Sequence, residues 1–283
     1  MRLVSFSHKG SHSWGALTES GVYDFKALSD GEWPTLRGAI AGRALGQFRS
    51  LVASSEATFQ LQDVSLQTVI PDTTTIFCSE ASAGADSGKK RVSMHARREV
   101  VIRLASTLVG HGNPLVRPAD SEQFEFRGRL AVVIGRSCRR VPAELAIDHV
   151  VGYAPFVETT VREWLRPGSS STPAINFPLT CGIGPWMKMR ESPGEEATFE
   201  IATRLNGSEV SRQPATEFER EIADSIAYCS AFTTLQPGDV LVVGGRGRRE
   251  HNEDPTYLKP GDNLELEIAN VGTLFHPVID EVR

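Results

Sequence analysis

Arg127 and Arg129 stand two residues apart in FEFRGRLAVVIG (124–135), at the head of the apolar run 130–134. Residues i and i+2 of a strand project from one face, so the two guanidinium groups point the same way. A guanidinium is a fixed cation with donors and no acceptor, suited to gripping a carboxylate or phosphate through paired bonds. Two of them on one face serve either a ligand anion or a structural ion pair, for which Glu158 and Glu163 are the available carboxylates. His95 in SMHARREVV precedes a strand leading to Arg103, which makes it a substitute base or a surface imidazole. The GGRGRRE loop, with Arg246, reads as an anion cradle or a solvated basic turn, because glycine supplies freedom without proving phosphate binding. Asp86 in SAGADSG lies in a loop-forming composition and is a turn residue or a base.

The elements that must carry these groups are short. RLVSFSH and WGALTESGVYDF read as strands, followed by a polar helical stretch near 35–55. From VIPDTTTIFC onward the apolar runs are brief and punctuated by glycine and proline, as in RLAVVIG, HVVGYAPFV, FEIATRLNGSEV, LQPGDVLVVGG and GDNLELEIANVGTLFHPVI. That spacing predicts a mixed α/β, mostly β architecture. Helices are expected at 142–150 and 216–232. The second carries Phe218, Ile222, Ile226 and Cys229 at spacings of four, four and three, which is one apolar face. The organisation read from this pass is a small segment over 1–70 and a larger unit over 71–283.

With 283 residues and 40% hydrophobic content the chain can bury a sizeable core. A formal charge of −5 supplies no global basic field, so nucleic acid is not an expected partner. No run approaches the roughly 18 apolar residues of a membrane span, and the N-terminal residues alternate like a strand, so a cytoplasmic protein without a membrane partner is expected. Cys78, Cys138, Cys181 and Cys229 form no C-x-x-C pair and read as small buried hydrophobes. The sequence holds no G-x-S-x-G, G-x-x-x-x-G-K-[ST] or H-E-x-x-H signature, and GGRGRR is not G-x-G-x-x-G.

The order of LVGHGNP, LAVVIG, VVGY, GPW, NGSEV, IAYCSAFTTLQPGDVLVVG and LKPGDNLELEIANVGTL resembles the catalytic domain of the fumarylacetoacetate hydrolase family over roughly 72–283. Residues 1–70 resemble the small α/β domain that often precedes it. The resemblance implies a β-sandwich roll, a homodimer, and an Mg2+ or Mn2+ site that cleaves, decarboxylates or isomerises small oxo acids.

Aligned on LAVVIG, the family's two metal-binding glutamates fall on Arg127 and Arg129, and its third carboxylate, an aspartate, on Glu158. The family's later Lys and Asp fall on Ile175 and Pro178, its general-base His near Asp86, and a Lys near the site on Arg103. Gly245 and Arg246 stand where its substrate loop has Thr and Pro. A guanidinium cannot coordinate a hard cation, so this reading expects no metal and no cofactor. The expected function is an enzyme acting on a small oxo-acid or enolisable carbonyl substrate. Arg127 and Arg129 replace the metal as electrophile, Glu158 or Asp86 carries the proton, and Arg103, Arg246 and His95 hold the substrate. Two alternatives stand beside it: a non-catalytic ligand-binding partner of an active paralogue, and an intact metal-dependent C–C hydrolase.

Overall fold

The alternating runs become strands and the periodic ones helices. The computed structural model describes residues 1–73, 75–81, 98–166, 168–214, 218–244 and 256–282. In the N-terminal part these are β1 (Arg2–His8), β2 (Ser11–Thr18), β3 (Gly21–Asp24), the helices α1 (Phe25–Leu28), α2 (Leu36–Ala41) and α3 (Leu45–Ser54), and β4 (Ser65–Leu66). The middle of the chain supplies β5 (Ile76–Ala81), β6 (Arg98–Arg103), β7 (Leu108–Val109), β8 (Leu115–Arg117), β9 (Phe124–Ile134), α4 (Ala143–Ala146), β10 (Val150–Val161) and α5 (Thr172–Ile175). The remainder is β11 (Cys181–Ile183), β12 (Met187–Met189), β13 (Ile201–Leu205), β14 (Ser208–Gln213), α6 (Phe218–Phe232), β15 (Val240–Val243), β16 (Asn263–Ile268) and β17 (Gly272–Asp280).

Two sheets result. The larger runs β3-β2-β1-β12-β10-β9-β15-β5-β6, and the smaller β14-β13-β16-β17-β8. The N-terminal strands are continuous with the main sheet through β1, whose Arg2 and Leu3 pair with Lys188 and Met187 of β12. β9 lies between β10 and β15, and its apolar run is buried on both faces, which is why it reads as continuous rather than alternating. Leu130, Val132 and Ile134 belong to a core shared with the smaller sheet and α6. Ala131 and Val133 belong to a second core with Trp14, Phe25 and Phe48 of the N-terminal region. The helix face anticipated at Phe218, Ile222, Ile226 and Cys229 is buried in the first core. The 142–150 stretch is shorter than expected as an α-helix, with α4 followed by a single 3-10 turn over Ile147–His149.

Between the two arginines sits Gly128, on the opposite face. A Cβ there would lie 2.4 Å from Leu266 Cδ1 and 2.5 Å from Thr203 Oγ1 of the smaller sheet. The R-G-R spacing therefore combines a charged face with a close approach of the two sheets. Gly128→Val is expected to destabilise the protein by about 1–3 kcal/mol through overpacking. Chemical denaturation measures this, and an unchanged midpoint would show that the sheets yield freely.

Candidate functional site

Arg127, Arg129, Glu158, Glu80 and Arg103 all lie on the sheet face that carries the second core. The register sets this: Arg127 and Arg129 are in phase with Ala131, Glu158 with Phe156, and Glu80 with Cys78. Glu158 stands directly opposite Arg127 across the β9–β10 ladder. β15 pairs with β9 only as far as Leu130↔Val243, and with β5 only as far as Val242↔Cys78. Beyond those pairs Arg129 bridges the strands, its Nη2 donating to the carbonyls of Ser79 (2.6 Å) and Val242 (3.2 Å). α5 packs on both β6 and β10, and Arg103 at the end of β6 reaches Glu158 of β10.

Glu158 is the hub. Its Oε2 accepts from Arg129 Nη1 at 2.8 Å and lies 3.3 Å from Arg127 Nη2, while its Oε1 is 3.2 Å from Arg103 Nη2. Arg103 Nη2 also donates to the Thr159 carbonyl at 2.7 Å, and Nη1 to the Ile175 carbonyl and, at 3.1 Å, to Cys181 Sγ. Glu80 closes the outer side, its Oε1 accepting from Arg127 Nη2 at 2.8 Å and Arg129 Nη1 at 3.2 Å. Arg129, Glu158 and Arg103 are buried, whereas the Arg127 and Glu80 side chains are 41% and 43% exposed. Among the described residues three guanidiniums meet two carboxylates, a net charge of +1 with its accessible edge at Arg127.

Burial alone would raise the Glu158 carboxyl, but Arg129, Arg103 and Arg127 together hold it well below the usual carboxylate range. Glu158, expected as one of two proton carriers, is thus held as an anion by the guanidiniums around it. Burial likewise works against the Arg129 and Arg103 charges and is outweighed by their anionic neighbours, which keep both protonated. Burial, reinforced by the Glu158 charge, pushes the Cys78 thiol up, so it is no nucleophile at neutral pH.

Other expectations change as well. Glu163 does not meet the arginines; its carboxylate caps a turn, accepting from Ser121 Oγ and the Glu122 and Gln123 amides. Arg103, read as a strand arginine near the site, is fully enclosed. Ile175 contributes through its backbone carbonyl alone. Asp86, His95 and Arg246 lie outside the described residues. Glu80 was missed. Its signal in the sequence is a lone carboxylate closing the apolar strand IFCSEA, in phase with two core residues.

The two sheets pack on each other through the first core, and the charged cluster lies on the opposite face of the larger sheet. The chain belongs to the fumarylacetoacetate hydrolase family: the fumarylacetoacetate (FAA) hydrolase C-terminal domain matches residues 73–279. It is 27% identical over 239 residues to the mitochondrial oxaloacetate tautomerase fahd2 of Xenopus laevis, covering 83% of this chain and 75% of that one. It is 28% identical over 244 residues to the human mitochondrial oxaloacetate tautomerase FAHD2A, covering 85% and 76%. Among solved structures, the maleylpyruvate hydrolase of Sphingobium sp. SYK-6, in complex with manganese(II) and pyruvate, matches over 100% of both chains with a TM-score of 0.81 and 24% identity. No described helix is long and apolar enough to cross a membrane.

The residues present fit a divalent ion poorly. Mg2+ and Mn2+ take a near-octahedral shell of oxygens. Here both Glu158 oxygens are committed to guanidiniums, and three of the nearest described side chains are cations. Among the described residues no three His, Cys, Asp or Glu side chains gather as a ligand set.

Proposed function

We propose that this protein binds a small oxo acid or enolisable carbonyl compound through its carboxylate and catalyses a proton transfer beside the carbonyl, without a divalent ion. The observation that carries the reading is the cluster of Arg103, Arg127 and Arg129 on Glu158 and Glu80, which presents a net positive charge at an exposed edge. The relatives named as oxaloacetate tautomerases, and the related hydrolase holding pyruvate, support a small oxo acid as the ligand class. In keto–enol exchange a proton leaves the carbon beside the carbonyl and the electron pair moves onto the carbonyl oxygen. Guanidinium donors aimed at that oxygen stabilise the developing charge in a site of low dielectric. Arg127 is the group able to do this, since its side chain is the accessible one of the three. The proton carrier is assigned to Asp86 or His95, not Glu158, which stays ionised.

A second reading, a non-catalytic ligand-binding partner, draws on one specific observation: the charges of the cluster are largely answered within it. An enolisation assay separates the two. Exchange of the C3 protons of oxaloacetate with deuterated water, followed by NMR in the presence of EDTA, is expected to be accelerated by the protein and slowed at least tenfold by Arg127→Ala. Binding without acceleration selects the second reading. Acceleration that EDTA abolishes overturns the metal-free mechanism.

A further inference from the structure

The two carboxylates of the cluster are held in different ways. Glu158 is buried, and both its oxygens face guanidiniums. Glu80 sits at the mouth, 43% exposed, and only its Oε1 touches Arg127 and Arg129. It also stands directly opposite Glu99 in the β5–β6 ladder, where like charges disfavour each other. Glu99 is exposed on that edge strand. Glu80 is thus drawn toward the arginines from one side and repelled from the other, on a half-exposed side chain.

We infer that the Glu80 carboxylate marks the subsite for the ligand's own carboxylate, and that binding proceeds by exchange: the incoming carboxylate takes the place of Glu80 on Arg127 Nη2 and Arg129 Nη1, and Glu80 turns to solvent. This rests on the oxo-acid reading above. Exchange replaces one carboxylate with another, so the buried guanidiniums never lose their partner during entry or release. It also selects the ligand. An incoming group must match a carboxylate in charge to displace Glu80, whereas a neutral carbonyl compound cannot. Glu80 is therefore a specificity-determining residue that also weakens binding, because each ligand competes with a tethered carboxylate at high local concentration.

The test is titration calorimetry of the purified full chain with pyruvate as probe, comparing wild type, Glu80→Gln, Glu80→Asp and Arg127→Ala. Glu80→Gln is expected to bind pyruvate at least tenfold more tightly than wild type, because the competitor is gone. Glu80→Asp keeps the charge but withdraws it by one methylene and is expected to tighten binding as well, which separates occupancy from net charge. It also serves if the Gln variant fails to fold. Arg127→Ala is expected to lose detectable binding. Equal or weaker binding by the Glu80 variants overturns the exchange while leaving the oxo-acid reading intact. Tighter binding by Glu80→Gln with Glu80→Asp unchanged also overturns it, since charge rather than occupancy would then be the cause. No pyruvate binding by any of the four proteins overturns both.

Discussion

Glu158→Gln is expected to lower stability by about 3–5 kcal/mol, a fall of roughly 10 °C in Tm for a chain of this size. The substitution keeps the shape of the side chain and removes its charge. Arg129, wholly enclosed, and Arg103, nearly so, would then share a single half-exposed carboxylate, Glu80, that reaches only one of them. The cost comes from stranding buried cations and not from losing favourable pairs, because taking the charges out of water offsets most of what pairing returns. The triple change Arg103→Met/Arg129→Met/Glu158→Leu is accordingly expected to recover most of the loss.

The same substitution has a signature in pH. The Glu158 carboxyl is depressed in the folded state, so its stabilisation is present above the unfolded value of 4.5 and is lost as pH falls below it. His276 acts in a different window. It is buried against Gly182, and desolvation lowers it from 6.5 to about 4, so the unfolded chain takes up a proton first and stability falls from about 6.5 downward. Glu158→Gln should flatten the arm below 4.5 and leave the arm above it. Urea midpoints across pH 3–8 test this, and an unaltered acid arm would show that the carboxylate is not held as the geometry indicates.

Much of this was legible in the chain because it depends on local pattern. Period-two runs, glycine punctuation and the apolar stripe of α6 report on neighbours in sequence, and the ordered motifs from LVGHGNP to GDNLELEIANVG fix the topology. The arginine pair was legible for the same reason, since its face follows from spacing alone. What escaped depends on who lies across a gap. Glu80 is 47 residues from Arg127, and nothing in IFCSEA states that β5 brings it beside the arginines of β9. The choice of Glu158 over Glu163 as partner turns on one cross-strand register and one capped turn. The burial of Arg103 follows from its contacts with α5 and β10, long-range neighbours that a strand pattern does not encode.

The largest response to metal is expected from a protein in which the charge inversion is undone. In the native cluster a divalent cation placed 4 Å from a guanidinium is repelled by about 8 kcal/mol at an effective dielectric near 20, and Arg127, Arg129 and Arg103 each contribute. Glu158 and Glu80 cannot offset three such terms while both are engaged. Neither MnCl2 nor EDTA should therefore move the Tm of the native protein. Arg127→Glu/Arg129→Glu gathers four carboxylates, the two introduced ones with Glu80 and Glu158, around Arg103 alone. Without metal their mutual repulsion should lower stability by several kcal/mol. Mn2+ answers that repulsion and finds oxygen ligands on adjacent strands, so at a hundred times its Kd it should return about 2.7 kcal/mol. Thermal unfolding with and without MnCl2 reads both effects. A variant that stays unresponsive would show that removing the arginines is not enough and would point to Ile175 and Pro178, whose side chains offer no donor. A native protein stabilised by Mn2+, or a manganese anomalous peak on Glu158 in a soaked crystal, would remove the charge argument at its root, because the cation would then be sitting among three guanidiniums that should expel it.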